Sequence, residues 1–252
     1  MLLLGFIVLL FSIIFLGCKV ISRYEVPILM YHSLDPNSNL VTSEKVRLDV
    51  FLKQMEFIKR RKYQVIPLQE YGKLLEKKKL LPKKGVIITF DDGYKDNLEG
   101  VKILRKFNFP ATIFVIRNKI GKENYLREEE IREILKNSEV KIGSHTLDAY
   151  LPELDDNRLR EEIWESKHQL EEIFSTEINT ISYPLGGFDE RVLREVEKAG
   201  YLCGCTTNRG FSRELNRFCL RRIKITNRDV GIKLWVKLTG FYYAFKSIKK
   251  PF

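Results

Sequence analysis

The chain has 252 residues, 44% of them hydrophobic and 31% charged, with a formal net charge of +11. That composition buries a core and excludes a disordered tail, a collagen-like fibre and a multi-span membrane protein, and the length suits one large α/β domain or two small ones. Four cysteines exclude a disulfide scaffold, and the basic residues are scattered, as in Lys59-Arg60-Arg61-Lys62 and Lys77-Lys78-Lys79, with no zinc-finger spacing or aromatic RNA-binding signature, so no nucleic-acid partner is expected.

Residues 1–18 carry no charge, and Lys19 is the first charged residue. An apolar run of about 18–20 residues crosses a bilayer core as a helix. The competing reading is a secretory signal, although no basic residue precedes the run. Phe15-Leu16-Gly17-Cys18 resembles a lipoprotein cleavage box, with Phe15 a poor fit at its first position. The expected division is a membrane anchor or signal segment at 1–22 and a barrel domain at 23–252. Lys19 and Arg23 after the run favour a cytoplasmic domain by the positive-inside rule, but two charges decide little, and topology has to be argued from function.

Beyond the run, strand and helix patterns alternate. Val26-Pro27-Ile28-Leu29-Met30-Tyr31 reads as a strand, and Phe51, Leu52, Met55 and Ile58 recur at helical spacing. Residues 63–66 form a strand ended by Pro67, and 68–75 a helix followed by an exposed Lys-rich connection. The β-branched run 86–90 is a buried strand. Val101, Leu104 and Phe107 mark a helix, 111–116 a strand, Ile131, Ile134 and Leu135 a helix, and 140–143 a strand. A long amphipathic helix is predicted over 155–174, with Leu159, Ile163, Leu170 and Ile173 inward. A strand at 180–183, a helix at 189–199 closed by Gly200, and strands at 201–206 and 221–225 complete the pattern. Repeated strand–helix units imply a parallel sheet, and about seven units fit a closed or nearly closed α/β barrel, with a doubly wound open sheet as the alternative. In either, functional residues sit at strand C-termini.

Polar groups do follow those strands. Asp91-Asp92-Gly93 follows the strand at 86–90, and adjacent carboxylates after a buried strand are costly unless something binds them. A metal would relieve the repulsion and leave one carboxylate as a base; a helix N-cap and turn is the competing reading of the same residues. Ser144-His145 and Tyr31-His32 also follow strands, as does Pro184-Leu185-Gly186-Gly187. Two of the three histidines thus fall at matching positions. The third, His168, lies among Glu and Lys on the long helix and is read as solvated.

In order, Pro27-Ile28-Leu29-Met30-Tyr31-His32, Thr89-Phe90-Asp91-Asp92-Gly93-Tyr94, Gly143-Ser144-His145-Thr146, Tyr183-Pro184-Leu185-Gly186 and Leu220-Arg221-Arg222-Ile223 resemble the polysaccharide deacetylases of the NodB-homology type. The similarity runs from about Val26 to Leu238 and is strongest to the branch with an N-terminal Tyr-His motif, which includes poly-N-acetylglucosamine deacetylases. The resemblance implies a distorted (β/α) barrel and metal-dependent hydrolysis of N- or O-acetyl groups on a cell-envelope or extracellular polysaccharide. It makes Asp91 the general base, His32 the general acid, and Asp92 and His145 metal ligands. Tyr183, Pro184, Leu185 and Gly186 become the oxyanion and substrate groove, with Leu185 where the family usually has Tyr. A polysaccharide substrate places the domain on the extracytoplasmic side, tethered or secreted through the N-terminal segment.

Two departures from the family pattern stand out. The family's second metal-ligand His is missing from His145-Thr146-Leu147-Asp148-Ala149-Tyr150-Leu151. Asp148 replacing it, water filling its place, and loss of metal binding in an inactive glycan-binding relative are the alternatives. A site of Asp92, His145 and Asp148 would accept Zn, Mn, Co or Ni. The Arg before Pro in the family's third motif is also absent, with Ser182 there instead, and Arg222 is expected to orient Asp91 in its place. Cys203, Cys205 and Cys219 read as buried thiols or, in an oxidising compartment, as one pair involving Cys219. The segment 232–245 mixes aromatics with Lys, as in a last helix covering the barrel or a stretch lying on a membrane.

Overall fold

The computed structural model describes residues 25–35, 45–207, 215–240 and 242. The apolar N-terminal run lies outside the described residues; within them, no helix is long and apolar enough to cross a membrane. Strands β1 (Ile28–Tyr31), β2 (Gln64–Val65), β3 (Gly85–Phe90), β4 (Ala111–Val115), β5 (Val140–Ser144), β6 (Thr180–Ser182), β7 (Cys203–Cys205) and β8 (Ile223–Lys224) alternate with helices α1 (Leu48–Arg60), α2 (Leu68–Glu76), α3 (Asn97–Phe107), α4 (Glu128–Asn137), α5 (Asp156–Phe174), α6 (Glu190–Lys198) and α7 (Ile232–Lys237). Every pairing is parallel, in the order β7-β6-β5-β4-β3-β1-β8, with β2 beside β3 off that path.

The sheet curls into the expected distorted barrel. The segment leading into β8 closes much of the gap: Leu220 bridges Cys205, and the Arg222 N–H donates to Thr207 O at 3.1 Å. β3 and β4 are buried at every residue because helices cover the outside and side chains fill the inside. The helices lie where the apolar spacing predicts, with boundaries set by caps. Asp155 accepts from the N–H groups of Asn157 and Arg158 at 2.9 and 3.0 Å to start α5, and Asp189 caps Val192 at 2.9 Å to start α6. Strand bounds shift at their ends: Val26, Pro27 and Tyr183 fall outside β1 and β6, whereas β3 begins one residue before its predicted start and β5 ends one residue after its predicted end.

One main core joins the sheet to the helices, with Tyr31, Phe51 and Phe90 packed on one another at centroid distances of 5.1–5.7 Å. Burying each such ring stabilises the fold by roughly 1.5–3 kcal/mol. A polar strut crosses this region: Gln54 is fully buried, accepts from the Tyr31 hydroxyl and donates to Thr226 O and Asp229 O. It ties α1 to the loop before α7. Cys203, Cys205 and Cys219 are buried thiols outside any disulfide. Burial pushes Cys205 up to about 12 and Cys203 upward as well, which leaves both thiols protonated and unreactive. His168 is exposed on α5.

Candidate active site

Four strand ends supply the site. β1 delivers His32, β3 delivers Asp91 and Asp92, β5 delivers His145, and β6 leads into the Pro184–Gly186 turn. The chain turns sharply at three of these ends. Asp92, Thr146 and Leu185 have φ of 70°, 63° and 56°, a left-handed conformation that costs non-glycine residues energy and clusters at functional sites. Gly93, at φ 72°, follows Asp92 with room for no side chain, because a Cβ there would lie 2.9 Å from Val115 Cγ1.

Asp91 is 3% exposed and is gripped from below by Arg222, which is fully buried. The guanidinium makes a bidentate pair, Nη1 to Oδ1 and Nη2 to Oδ2, both at 2.6 Å. It also donates to Thr206 O at 2.9 Å, to Thr89 Oγ1 at 3.3 Å and to Ser182 Oγ at 2.8 Å. Those bonds use all five of its N–H donors. Burial alone would raise the Asp91 pKa, but the charge of Arg222, with those of His145 and His32, holds it well below the usual carboxylate range. His32 Nε2 lies 3.9 Å from Asp91 Oδ2, and Asn97 Nδ2 donates to the His32 carbonyl at 2.8 Å.

His145 is 5% exposed. Its Nδ1 meets the Ser182 carbonyl at 2.7 Å, and a carbonyl can only accept, so Nδ1 carries the proton. That leaves Nε2, 3.4 Å from Asp92 Oδ1, as the nitrogen with a lone pair that a cation would meet. Burial lowers the His145 pKa, and Asp92, Asp91 and the Ser182 carbonyl more than reverse it, so it lies above the usual value. The donor chemistry and spacing suit a divalent cation. Two ligands each about 2.1 Å from a shared ion at a near-tetrahedral angle stand roughly 3.4 Å apart. Asp92 and His145 therefore fit as two ligands, one short of the three usual for a catalytic zinc.

Asp148 does not join them. Its carboxylate accepts from Asn118 Nδ2 at 3.0 Å on the exposed side of the loop, and among the described residues no group of three His, Cys, Asp or Glu is placed to hold an ion. The reason is the buried Glu162, whose Oε2 accepts from the N–H groups of Leu147, Asp148 and Ala149 at 2.9, 3.1 and 3.3 Å and fixes the loop's path. Of the predicted groove, Leu185 is 77% exposed, Pro184 is partly exposed and Gly186 is buried. Tyr183 is fully buried and its hydroxyl donates to Phe218 O, so its ring belongs to the core rather than to the groove. Ser182 and Glu162 escaped the sequence reading as site residues. The signal for Glu162 was a charge and a serine, Ser166, in phase with Leu159 and Ile163 on the inward face of α5.

A family model for polysaccharide deacetylase matches residues 78–204. The chain is 34% identical over 205 residues to YxkH of Bacillus subtilis, which carries a provisional polysaccharide deacetylase name; the match covers 80% of this chain and 72% of YxkH. It is 25% identical over 231 residues to the poly-β-1,6-N-acetyl-D-glucosamine N-deacetylase of Staphylococcus epidermidis, covering 84% and 80% of the two chains. Among solved structures it superposes on the Streptococcus pyogenes deacetylase PplD in complex with acetate with a TM-score of 0.76 at 27% identity, covering 84% of this chain and 97% of PplD.

Proposed function

The chain belongs to the polysaccharide deacetylase family, hydrolases that act on carbon–nitrogen bonds other than peptide bonds, and from that premise we propose that it removes N-acetyl groups from an envelope or extracellular polysaccharide built of N-acetylated sugars, such as poly-N-acetylglucosamine. The observation that carries this reading is the convergence of His32, Asp91, Asp92 and His145 on one strand-end cluster, with Asp91 and His145 each locked in orientation. Asp92 Oδ1 and His145 Nε2 would hold a divalent cation, which when bound would polarise the acetyl carbonyl and acidify a water.

The chain's own residues do the rest. Arg222 keeps Asp91 ionised, so a carboxylate is always present to accept the proton of the attacking water. The same pairing lowers its basicity, so the water it deprotonates must itself be acidified. His32, whose Nε2 lies 3.9 Å from Asp91 Oδ2, would hand a proton to the departing amine. The backbone N–H of Leu185, at the exposed turn after β6, is a donor for the negative charge that develops on the acetyl oxygen. An extracytoplasmic location follows from such a substrate.

The ligand count favours one further reading, a weakly active member that keeps glycan binding. Both readings meet one experiment: metal analysis of the purified full chain, then acetate release from N-acetylglucosamine oligomers before and after chelation and metal return. Acetate release that chelation removes and metal restores supports the hydrolase; oligomer binding without release in the metal-supplemented protein overturns it.

A further inference from the structure

The two faces of α7 differ. Leu234 and Leu238 are buried against the barrel, whereas Ile232, Trp235 and Val236, at i, i+3 and i+4, are 69%, 43% and 46% exposed. Val230 extends this apolar patch, and Lys233 is exposed beside it. Arg60 and Arg61 border it from the end of α1, their guanidinium groups 5.7 and 5.4 Å from the Phe57 ring centre. Phe57, Arg60, Arg61, Gly231, Ile232 and Trp235 line one shallow groove with no acidic residue.

Its place in the fold is at the end away from the catalytic groups. α1 ends at Arg60 just before β2 begins at Gln64, and the chain enters the barrel at Glu25, whose N–H donates to Gly240 O at 3.1 Å just beyond α7. The patch and the point of entry thus share the end where strands begin, and His32, Asp91 and His145 stand where strands finish.

We propose that the α7 patch with Arg60 and Arg61 docks on an anionic lipid surface, so that the barrel stands with its base on the membrane and its catalytic end turned away. A tryptophan and aliphatic side chains ringed by Arg and Lys suit the headgroup boundary. Residues 19–24 separate the uncharged N-terminal run from Glu25, a span of about 20–25 Å at full extension. A run held in a bilayer therefore keeps this base within reach of the surface. A second copy is the poorer occupant. A two-fold contact would set Arg60, Arg61 and Lys233 against their own copies, and four apolar side chains fall well short of the roughly 800 Å² per partner of a stable interface.

The test uses the full chain. The sequence has two tryptophans, and Trp164, 42% exposed on α5, is replaceable. Full-length Trp164→Phe is reconstituted into vesicles of phosphatidylcholine with or without phosphatidylglycerol, with brominated acyl chains as quenchers. Trp235 fluorescence is quenched in the anionic vesicles, and Trp164 in a Trp235→Phe chain is not. Replacing Arg60 and Arg61 by Gln lowers the docked-to-free ratio roughly 30-fold, at about fivefold per charge. Equal quenching of the two tryptophans, indifference to phosphatidylglycerol, or failure to float with the vesicles overturns the proposal. So does a Trp235 shielded from both lipid and iodide, as under a second copy or the chain's own terminal residues. Acetate release is read on the same samples, so failure of the hydrolase reading is scored separately from failure of docking.

Discussion

Replacing Arg222 by Met tests the idea that one buried guanidinium holds the site together. Met keeps much of the apolar stem and removes five hydrogen bonds, two of them to Asp91 at 2.6 Å. Asp91, 3% exposed, is then a buried carboxylate without its cation. Breaking a buried ion pair by deleting one partner costs about 3–5 kcal/mol, a large share of the 5–15 kcal/mol typical of a domain, roughly. For a chain of this size that lowers the melting temperature by about 6–20 °C. Deleting both partners, with Asp91→Asn beside Arg222→Met, should recover part of the loss, because the stranded charge is gone; the coupling in the double-mutant cycle should exceed about 1 kcal/mol. Acetate release by Arg222→Met at permissive temperature should fall by about a hundredfold or more, the effect of losing the position of a catalytic group. Thermal unfolding by circular dichroism and an acetate assay on the same protein read both quantities. A melting point within 2 °C of the parent, roughly half a kcal/mol, or strictly additive single variants, would refute the reasoning.

Four further outcomes are expected. Asp91→Asn abolishes acetate release and leaves bound metal unchanged, whereas Asp92→Asn loses both; equal metal loss in the two, measured by mass spectrometry of the digested protein, means that their roles are reversed or shared. Asp148→Ala leaves metal affinity within about twofold, because its carboxylate is held by Asn118; a drop of about tenfold or more in a chelator competition would make it a ligand after all. Glu162→Leu strips the acceptor from three N–H groups and costs about 3 kcal/mol in urea unfolding, with acetate release reduced more than the melting curve alone explains; a variant as active as the parent would disconnect this loop from the site. Gly143→Ala puts a Cβ 2.6 Å from the Phe114 ring and 2.7 Å from Thr180 Oγ1, so it destabilises the barrel by about 1–3 kcal/mol, and an unchanged unfolding midpoint would contradict that packing.

The alternation of strand and helix was readable from the chain because each β-branched run and each apolar stripe reports a local period, 2 or 3.6, that needs no distant partner. The same logic placed His32, Asp91, Asp92 and His145 at strand ends, since a polar residue after a buried strand is a local event. Arg222 was visible as a candidate only through its motif, whereas its five bonds depend on Thr89 and Asp91 in and after β3, Ser182 at the end of β6 and Thr206 just after β7. Tyr183 shows the limit of reading by neighbourhood: it adjoins the groove in sequence, yet its ring turns into the core and its hydroxyl finds Phe218 O. Asp148 shows it again, because three residues of separation from His145 say nothing of a loop whose course is set by Glu162 on the packed face of α5. Periodicity and composition determined which elements form and which side chains each one offers. Which of those side chains share a point in space was decided by the parallel register of β1, β3, β5 and β6 and by the buried charges that only the curled sheet brings together.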